Sequence, residues 1–473
     1  MKRKNWTFVR AFQCAALLVL SLSCGQAGPS GPRYVFLISL DTVAAEYCSV
    51  YGYEKQTTPF LEELGAKGAV FERHVTISNN TLKSHASIMT GLLPAAHGVD
   101  DLGKKGRFKL ESAYPTLAEQ FQAAGYATAA FTTHAIWLNK EFGFDQGFDH
   151  FESRMRGAPR NSHAFLEWFD EEDPDHAFVF LHYFDAHSDG SMPDSEAYEA
   201  SPDALAKFAR ERPDDYEIRF KDKAGEQYFG SEALRLLSPA ENVIPAEHLA
   251  YLRGTYDAGL FDLDNNLRAL FQELEKRGIL DDSLIVITSD HGEEFKQHDR
   301  LLHHQYFSEV MRVPLIITLP KGQRPAKARV EEVTRSIDLA SSMLELAGLE
   351  PLPITQGQSF ARTLLLGESL PYGDTMFEKA ILRSRDEHGE YKIGFIRGGF
   401  QFYDLDADPG EMHNLGGSVD RARIKAARER IDSISKESRD IRRAIGAKRS
   451  KGPELTEDDL EELQSLGYLG DDE

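Results

Sequence analysis

Asp290 and His291 stand side by side at the end of Leu284–Thr288, an apolar run of Leu, Ile, Val and Thr. A carboxylate oxygen next to an imidazole nitrogen is a pair of metal-ligand types, and Gly292 lets the backbone turn sharply after them. Asp41-Thr42 sits in the same way directly after the apolar run Tyr34–Leu40. A third stretch, Asn79–Gly91, crowds Thr81, Lys83, Ser84 and His85 at the start of an expected helix. Helix starts present free N–H groups and a partial positive charge, which suit an anion or an activated oxygen nucleophile. Phe184-Asp185-Ala186-His187 follows the apolar run Ala177–Tyr183, and Gln297–Gln305 holds His298, His303 and His304. Any one of these alone reads as a polar turn or a capping loop.

These groups need elements that deliver them to one place. Buried-strand composition predicts strands over 34–40, 69–76, 126–132, 177–183, 284–288 and 313–319. Helical spacing predicts helices over Pro59–Lys67, stopped by Gly68, and over 246–277 and 338–347. Thr116 and Glu119 form a capping box that opens a helix to Ala124. Strands alternating with helices imply an α/β fold with a mostly parallel sheet between helices. Ligands in such sheets bind beyond the carboxyl ends of the strands, where the polar clusters fall. Residues 188–243 are acidic, Pro-rich and without clear period, and read as an irregular insert serving as a lid. Residues 379–405 read as two or three antiparallel strands. Arg421–Lys448 reads as a charged helix packing an Ile424, Ile431 and Ile434 stripe. The domains expected are therefore a large one over 34–375 and a small C-terminal α+β subdomain over 376–473.

The 473 residues carry a formal charge of −22, with 41% hydrophobic and 27% charged residues. This is a globular composition, and it excludes a nucleic-acid surface built from clustered Lys and Arg. It leaves room for an anionic substrate in a locally positive pocket. Lys2, Arg3 and Lys4 precede an apolar core, Ala15–Leu22, too short to span a bilayer. Residues 1–27 are therefore expected to be an export signal and tether. Cys24 is a candidate for the lipid-bearing cysteine of a lipoprotein, and cleavage after Ala27 is the alternative. The expected location is the bacterial periplasm or cell envelope. Cys48 is the cysteine left in the fold, so no intrachain disulfide is expected.

LISLDT (37–42), TLKSHASIMTG (81–91), HYFDAH (182–187), TSDHGEEF (288–295), RVPLII (312–317), FYDLDADPGEMHNL (402–415) and LGYLG (466–470) occur in that order. Together they resemble the sulfatase-like branch of the alkaline phosphatase superfamily, from about Tyr34 to Gly470 apart from the insert. The resemblance implies a large α/β domain and a small C-terminal one. It implies Asp41, Thr81, Asp290 and His291 as metal ligands, with Thr81 also the nucleophile. His187 matches a histidine near the substrate anion. His304, or His303, matches the basic position at the transferring group or leaving group. His85 stands where sulfatases carry an arginine supporting the nucleophile. Lys83, Asp185 and His187 are expected at the substrate.

An imidazole in the ligand set favours zinc or manganese, with calcium as the alternative. Asp185, His187 and His303 form a candidate set for a second ion. Sulfatases of this branch oxidise a Cys or Ser to formylglycine, in a short motif with Pro and Arg. Thr81 cannot yield that aldehyde, because its β-carbon already carries a methyl group, and Lys83 and His85 replace the Pro and Arg. The expected activity is thus a metal-dependent hydrolase or transferase acting on a small phosphate or sulfate ester through Thr81. The alternatives are a true sulfatase and a metal-containing binding protein that has lost turnover. Ala44, Leu102 and Leu302 depart from the arginine, asparagine and histidine of close relatives, which bears on the substrate pocket. His97, His134, His150 and His163 read as ordinary polar or half-buried histidines, and Lys104-Lys105 as a solvated turn.

Overall fold

The computed structural model describes residues 29–453 apart from 30, 102–106, 134–136, 155–156, 189–195, 215, 217–218, 222–226, 378–379 and 397–398. The segment expected to be an export signal, with Cys24, lies outside the described residues, as do Leu102, Lys104, Lys105, His134 and the terminal LGYLG.

Eight strands build the central sheet: β1 (Tyr34–Leu40), β2 (Ala69–Val75), β3 (Ala127–Thr132), β4 (His150–Ser153), β5 (Ala177–Tyr183), β6 (Ser283–Thr288), β7 (Leu315–Thr318) and β8 (Arg329–Arg335). Their order is β8-β2-β7-β6-β1-β5-β3-β4. Only β7 runs against its neighbours, β6 and β2; the other pairings are parallel. All seven residues of β1 and of β5 are buried, as expected for parallel strands covered on both faces. Their register pairs Ser39 with His182 and Leu40 with Tyr183, so the two chains leave the sheet together.

Each face has its own core. On one face Phe36, Ile38 and Leu40 pack under α1 (Pro59–Lys67), α5 (Ala158–Glu172) and the long α8 (Ala246–Lys276). On the other, Val35 and Leu37 pack under α2 (Thr81–Thr90), α4 (Leu117–Ala123) and α10 (Asp338–Leu346). Capping fixes several helix starts. Buried Asp264 of α8 accepts from Phe60 N at 2.7 Å and Leu61 N at 3.0 Å, tying α8 to the start of α1. The Thr116–Glu119 capping box forms in both directions, and Asn80 caps α2 through Lys83 N. Four-residue α3 (Pro94–His97) follows α2 closely.

The insert is more regular than its composition implies. It holds α6 (Pro202–Phe208), a short hairpin pairing 219–221 with 227–229, and α7 (Gly230–Leu237). Helix α6 is seven residues long and buries only Ala204, too short to show a period. Helix α7 is tied to the loop after β6: Ser238 Oγ bonds Leu301 O and N at 3.1 Å, and Lys296 Nζ donates to Leu237, Ser238 and Pro239 carbonyls at 2.9–3.0 Å.

At the C-terminus the antiparallel strands number four: β9 (Thr375–Phe377), β10 (Ile381–Asp386), β11 (Gly389–Ile396) and β12 (Gly399–Asp404). The short helices α9 (Ser308–Met311) and α11 (Ala361–Leu366) precede them, and α12 (Arg421–Ile445) covers them. Ala427 and Ile431, flanked by Ile424 and Ile434, pack on Leu382, Tyr391, Ile393 and Phe402. Among the described residues no helix is long and apolar enough to cross a membrane.

Candidate active site

Two strand ends and one helix start meet at a buried cluster. The end of β1 delivers Asp41, whose N–H donates to Tyr183 O at 2.8 Å. Thr42 follows with φ +57°, a left-handed conformation that is an outlier for a β-branched residue and that clusters at functional sites. The surroundings impose it: Thr42 N lies 3.4 Å from Asp290 Oδ1, Thr42 O accepts from Tyr256 Oη at 2.7 Å, and Val43 N donates to Ser289 Oγ at 3.1 Å. The end of β6 delivers Asp290 and His291. Gly292 closes that turn with its N–H on Val310 O at 2.7 Å.

The start of α2 delivers Thr81. Its Oγ1 lies 3.4 Å from Asp41 Oδ2 and 3.3 Å from His291 Nε2. His291 Nε2 lies 3.5 Å from Asp290 Oδ2 and 3.9 Å from Asp41 Oδ1. His291 Nδ1 donates to Gly292 O at 3.2 Å, so the Nε2 lone pair faces the carboxylates. All four side chains are fully buried.

The group fits a cation. Asp41 Oδ1 and Asp290 Oδ2 are buried without a hydrogen-bond partner, a costly state for carboxylates unless something positive meets them. Burial pushes the Asp41 carboxyl up to about 7, against the pull of His291. One ligand atom from each of Asp41, Asp290 and His291 lies within 4.8 Å of the others. Ligands bound about 2.0–2.2 Å from one ion sit roughly 3–4 Å apart, and these distances match.

Two neutral histidines back the cluster. His182, which the sequence reading passed over, donates from Nε2 to Asp41 Oδ2 at 3.1 Å. Burial lowers its pKa to about 4, and that of His85 likewise. His85 stands behind the Thr81 backbone. It sits one turn along α2 from Thr81, so its Nδ1 donates to the Thr81 carbonyl at 2.9 Å while Nε2 accepts from Ser39 Oγ at 2.9 Å. It holds the backbone of the nucleophile candidate and is a positioning residue, not a catalytic one. His182 was legible as the lone polar residue in FVFLHY. Alternation puts it on the same sheet face as Phe178 and Phe180, in register with Ser39.

The remaining candidates divide. His303 packs its ring 4.4 Å from His291 and 5.3 Å from His187. Its Nδ1 lies 3.3 Å from Glu293 Oε2, and its carbonyl accepts from Asn79 Nδ2 at 2.8 Å. His187 stacks on Phe184 at 4.2 Å. His304 is solvent-exposed, and its backbone N–H bonds Glu294 at 3.0 Å. Of the adjacent pair, His303 is the one at the cluster. Lys83 is almost buried on the first turn of α2.

Asp185 caps the start of α5 through Oδ1, which accepts from Ala158 N at 2.7 Å, while its Oδ2 is buried without a hydrogen-bond partner. The second-ion set of Asp185, His187 and His303 does not assemble: among the described residues the only such group is Asp41, Asp290 and His291. Of the histidines read as ordinary, His97 is buried between Ser87 Oγ and Val99 N, while His150 and His163 are half-buried and exposed on the surface.

Comparison with known proteins bears on this geometry. The sulfatase family model matches residues 33–349. The chain is 31% identical over 188 residues to the multifunctional alkaline phosphatase superfamily protein PehA of Trinickia caryophylli, covering 35% of this chain and 36% of that protein. This match therefore spans only about a third of the relative's length. It is 24% identical over 460 residues to the delta 4,5-hexuronate-2-O-sulfatase of Bacteroides thetaiotaomicron, covering 89% and 93% of the two chains. The phosphonate monoester hydrolase of Agrobacterium radiobacter superimposes with a TM-score of 0.65 at 20% identity, over 86% of this chain and 96% of that one. At that identity the likeness concerns the fold.

Proposed function

We propose a function from one premise: this chain belongs to the sulfatase family, within the alkaline phosphatase superfamily. It is an ester hydrolase of that superfamily, and its relatives act on sulfate or phosphonate esters. Our reading is that it cleaves small phosphate esters with Thr81 as the nucleophile. One observation carries this: the Thr81 hydroxyl lies 3.3–3.4 Å from His291 Nε2 and Asp41 Oδ2, beside two unpartnered carboxylate oxygens.

Asp41, Asp290, His291 and Thr81 would hold a divalent ion, for which the imidazole favours zinc or manganese over calcium. Such an ion lowers the pKa of the threonine hydroxyl and neutralises charge on the esterified group. The chain's own residues do the rest. Asn80 and the free N–H groups of α2 hold Thr81 at a helix start, where an anion is welcome. His85 and Ser39 fix its backbone, and His182 fixes the Asp41 carboxylate. Thr81 gives up its hydroxyl proton, and Oγ1 bonds to phosphorus as the P–O bond to the alcohol breaks, so that the proton lost by Thr81 balances the one the leaving alcohol takes up. The leaving oxygen takes up a proton on the side where the His187 and His303 rings lie. Water then attacks phosphorus, the bond to Oγ1 breaks, phosphate leaves and the threonine hydroxyl is restored.

Acid quench during turnover tests the reading. A phosphate ester on Thr81, found by peptide mass, is the expected result. Turnover of sulfate esters with none of phosphate esters would overturn it in favour of a sulfatase. No turnover of either, with metal bound, would favour a binding protein. We also read residues 1–27 as an export signal and tether, with the signal removed before a lipidated Cys24. Labelled fatty acid should enter the wild-type protein and not Cys24→Ala; equal labelling would refute the anchor.

A further inference from the structure

A second cleft lies between α3 and α12, away from the Thr81 cluster. Its volume is about 210 Å³, and its lining includes Gly98, Asp100, Met376, Arg439, Arg442 and Arg449. Three guanidinium groups in one cleft stand out on a chain of net charge −22.

Two of them are held in place. Arg442 donates from Nε to Ala96 O at 3.2 Å and from Nη2 to Ala95 O. Arg449 lies 3.7 Å above the Phe108 ring and donates from Nη2 to Asp100 Oδ2 at 3.2 Å. Each keeps further N–H donors, since a guanidinium has five. Arg439 is exposed and has no side-chain partner among the described residues. Asp100 is the one acidic residue in the lining, so one carboxylate faces three cations. Gly98 forms the floor at φ +80°, and a Cβ there would meet Arg449 Cγ at 3.3 Å and Arg442 Nη2 at 3.4 Å. A residue without a side chain is what lets the two arginines close over this point.

We propose that this cleft binds a tetrahedral oxyanion, a sulfate or phosphate group. Forked guanidinium donors match such an anion in charge and geometry. The cleft has room for roughly seven waters, so the anion fits with part of its hydration. The source is either a free oxyanion or a second charged group on the ester substrate. For the latter the substrate would have to span about 15 Å, the length of the ten-residue α2 that separates Thr81 from α3.

Sulfate binding to the full-length, metal-loaded protein, measured by equilibrium dialysis at low salt, tests this. Asp290→Asn disables the Thr81 cluster and is expected to keep one sulfate site. Adding Arg439→Glu, an exposed change without a partner to lose, should weaken that site at least tenfold. Loss of all sulfate binding in Asp290→Asn alone, or no effect of Arg439→Glu, overturns the proposal and leaves the Thr81 reading untouched. Kinetics separate the sources. If the substrate supplies the anion, Arg439→Glu raises KM for an ester with two anionic groups and not for one with a single group. If the anion is free, both KM values stay unchanged while sulfate binding is lost.

Discussion

On the proposed reading Thr81 is the residue on which the chemistry turns, and its environment sets what its replacement should do. Thr81→Ala removes one hydroxyl from a site held by many other bonds. Turnover should fall by about 10³-fold or more and metal affinity should weaken with the lost ligand atom, while the melting temperature of the metal-free protein stays nearly unchanged; kinetics on a phosphate and sulfate ester panel, with metal titration, check this. His182 acts one step back. Its bond to Asp41 Oδ2 orients a ligand, and loss of such a partner costs about 10–100-fold in metal affinity. His182→Ala should show that loss in metal titration, whereas an unchanged affinity would reduce His182 to core packing. Both histidines behind the cluster are neutral because burial disfavours the cation, which spares the site a charge competing with the metal.

Turns and strand pairings carry the next level. The Asp290-His291-Gly292 turn is packed so closely that a Cβ on Gly292 would meet Glu309 O at 2.2 Å and Ala44 Cβ at 2.9 Å. Gly292→Ala must therefore push the turn away from Glu309 of α9 and from Ala44, at a cost of about 1–3 kcal/mol or more; denaturant unfolding and metal affinity should both report it. This packing also gives Ala44 a reason: a larger side chain at this position would press on the same turn. Two buried histidines outside the site make stability depend on acid. His74 bonds Thr334 Oγ1 at 2.9 Å between β2 and β8, and His97 sits in α3. Burial lowers both to about 3 from an ordinary 6.5. Between those values the unfolded chain takes up protons that the folded chain refuses, so stability is full above pH 6.5 and falls as pH drops. At pH 5 each histidine accounts for about 2 kcal/mol. His97→Asn should flatten the fall in unfolding free energy from pH 7 to 5, and an identical slope would contradict this.

At the scale of the whole molecule, an ion held by the proposed ligands would join these parts. Asp41, Thr81, Asp290 and His291 come from three separate regions of the chain, so an ion bound among them stabilises only the folded state. At a free concentration a hundred times its Kd it adds about 2.7 kcal/mol. Chelation should lower the melting temperature and abolish turnover, and restoring zinc or manganese should recover both better than calcium. Recovery with calcium alone would show that the carboxylates, not His291, set the preference. The small C-terminal sheet bears on the same centre from outside. Glu411 accepts from Ser308 N at 2.8 Å and Oγ at 2.7 Å, and Lys392 Nζ donates to Tyr306 O at 2.6 Å. Residues just beyond His303 are thereby fastened to the small sheet.

The chain by itself determined the elements whose signals are local. The apolar runs of β1, β5 and β6, the Thr116–Glu119 capping box and the 3.6-residue spacing of α1 and α8 are readable because burial on both faces, or on one stripe, leaves a pattern in neighbouring residues. The edge strands β4 and β8 were not read, since half-exposed strands such as Arg329–Arg335 mix charged and apolar residues. The short α6 was missed because seven residues cannot show a period. Asp41, Thr81, Asp290 and His291 could be named as candidates from residue type, strand-end position and family resemblance. Tertiary structure alone decided the partners. It turned His85 onto a carbonyl, brought His182 under Asp41, chose His303 over His304 and gave Asp185 to α5. These outcomes depend on where side chains from distant segments point once the sheet has formed, and neighbours in sequence carry no record of that.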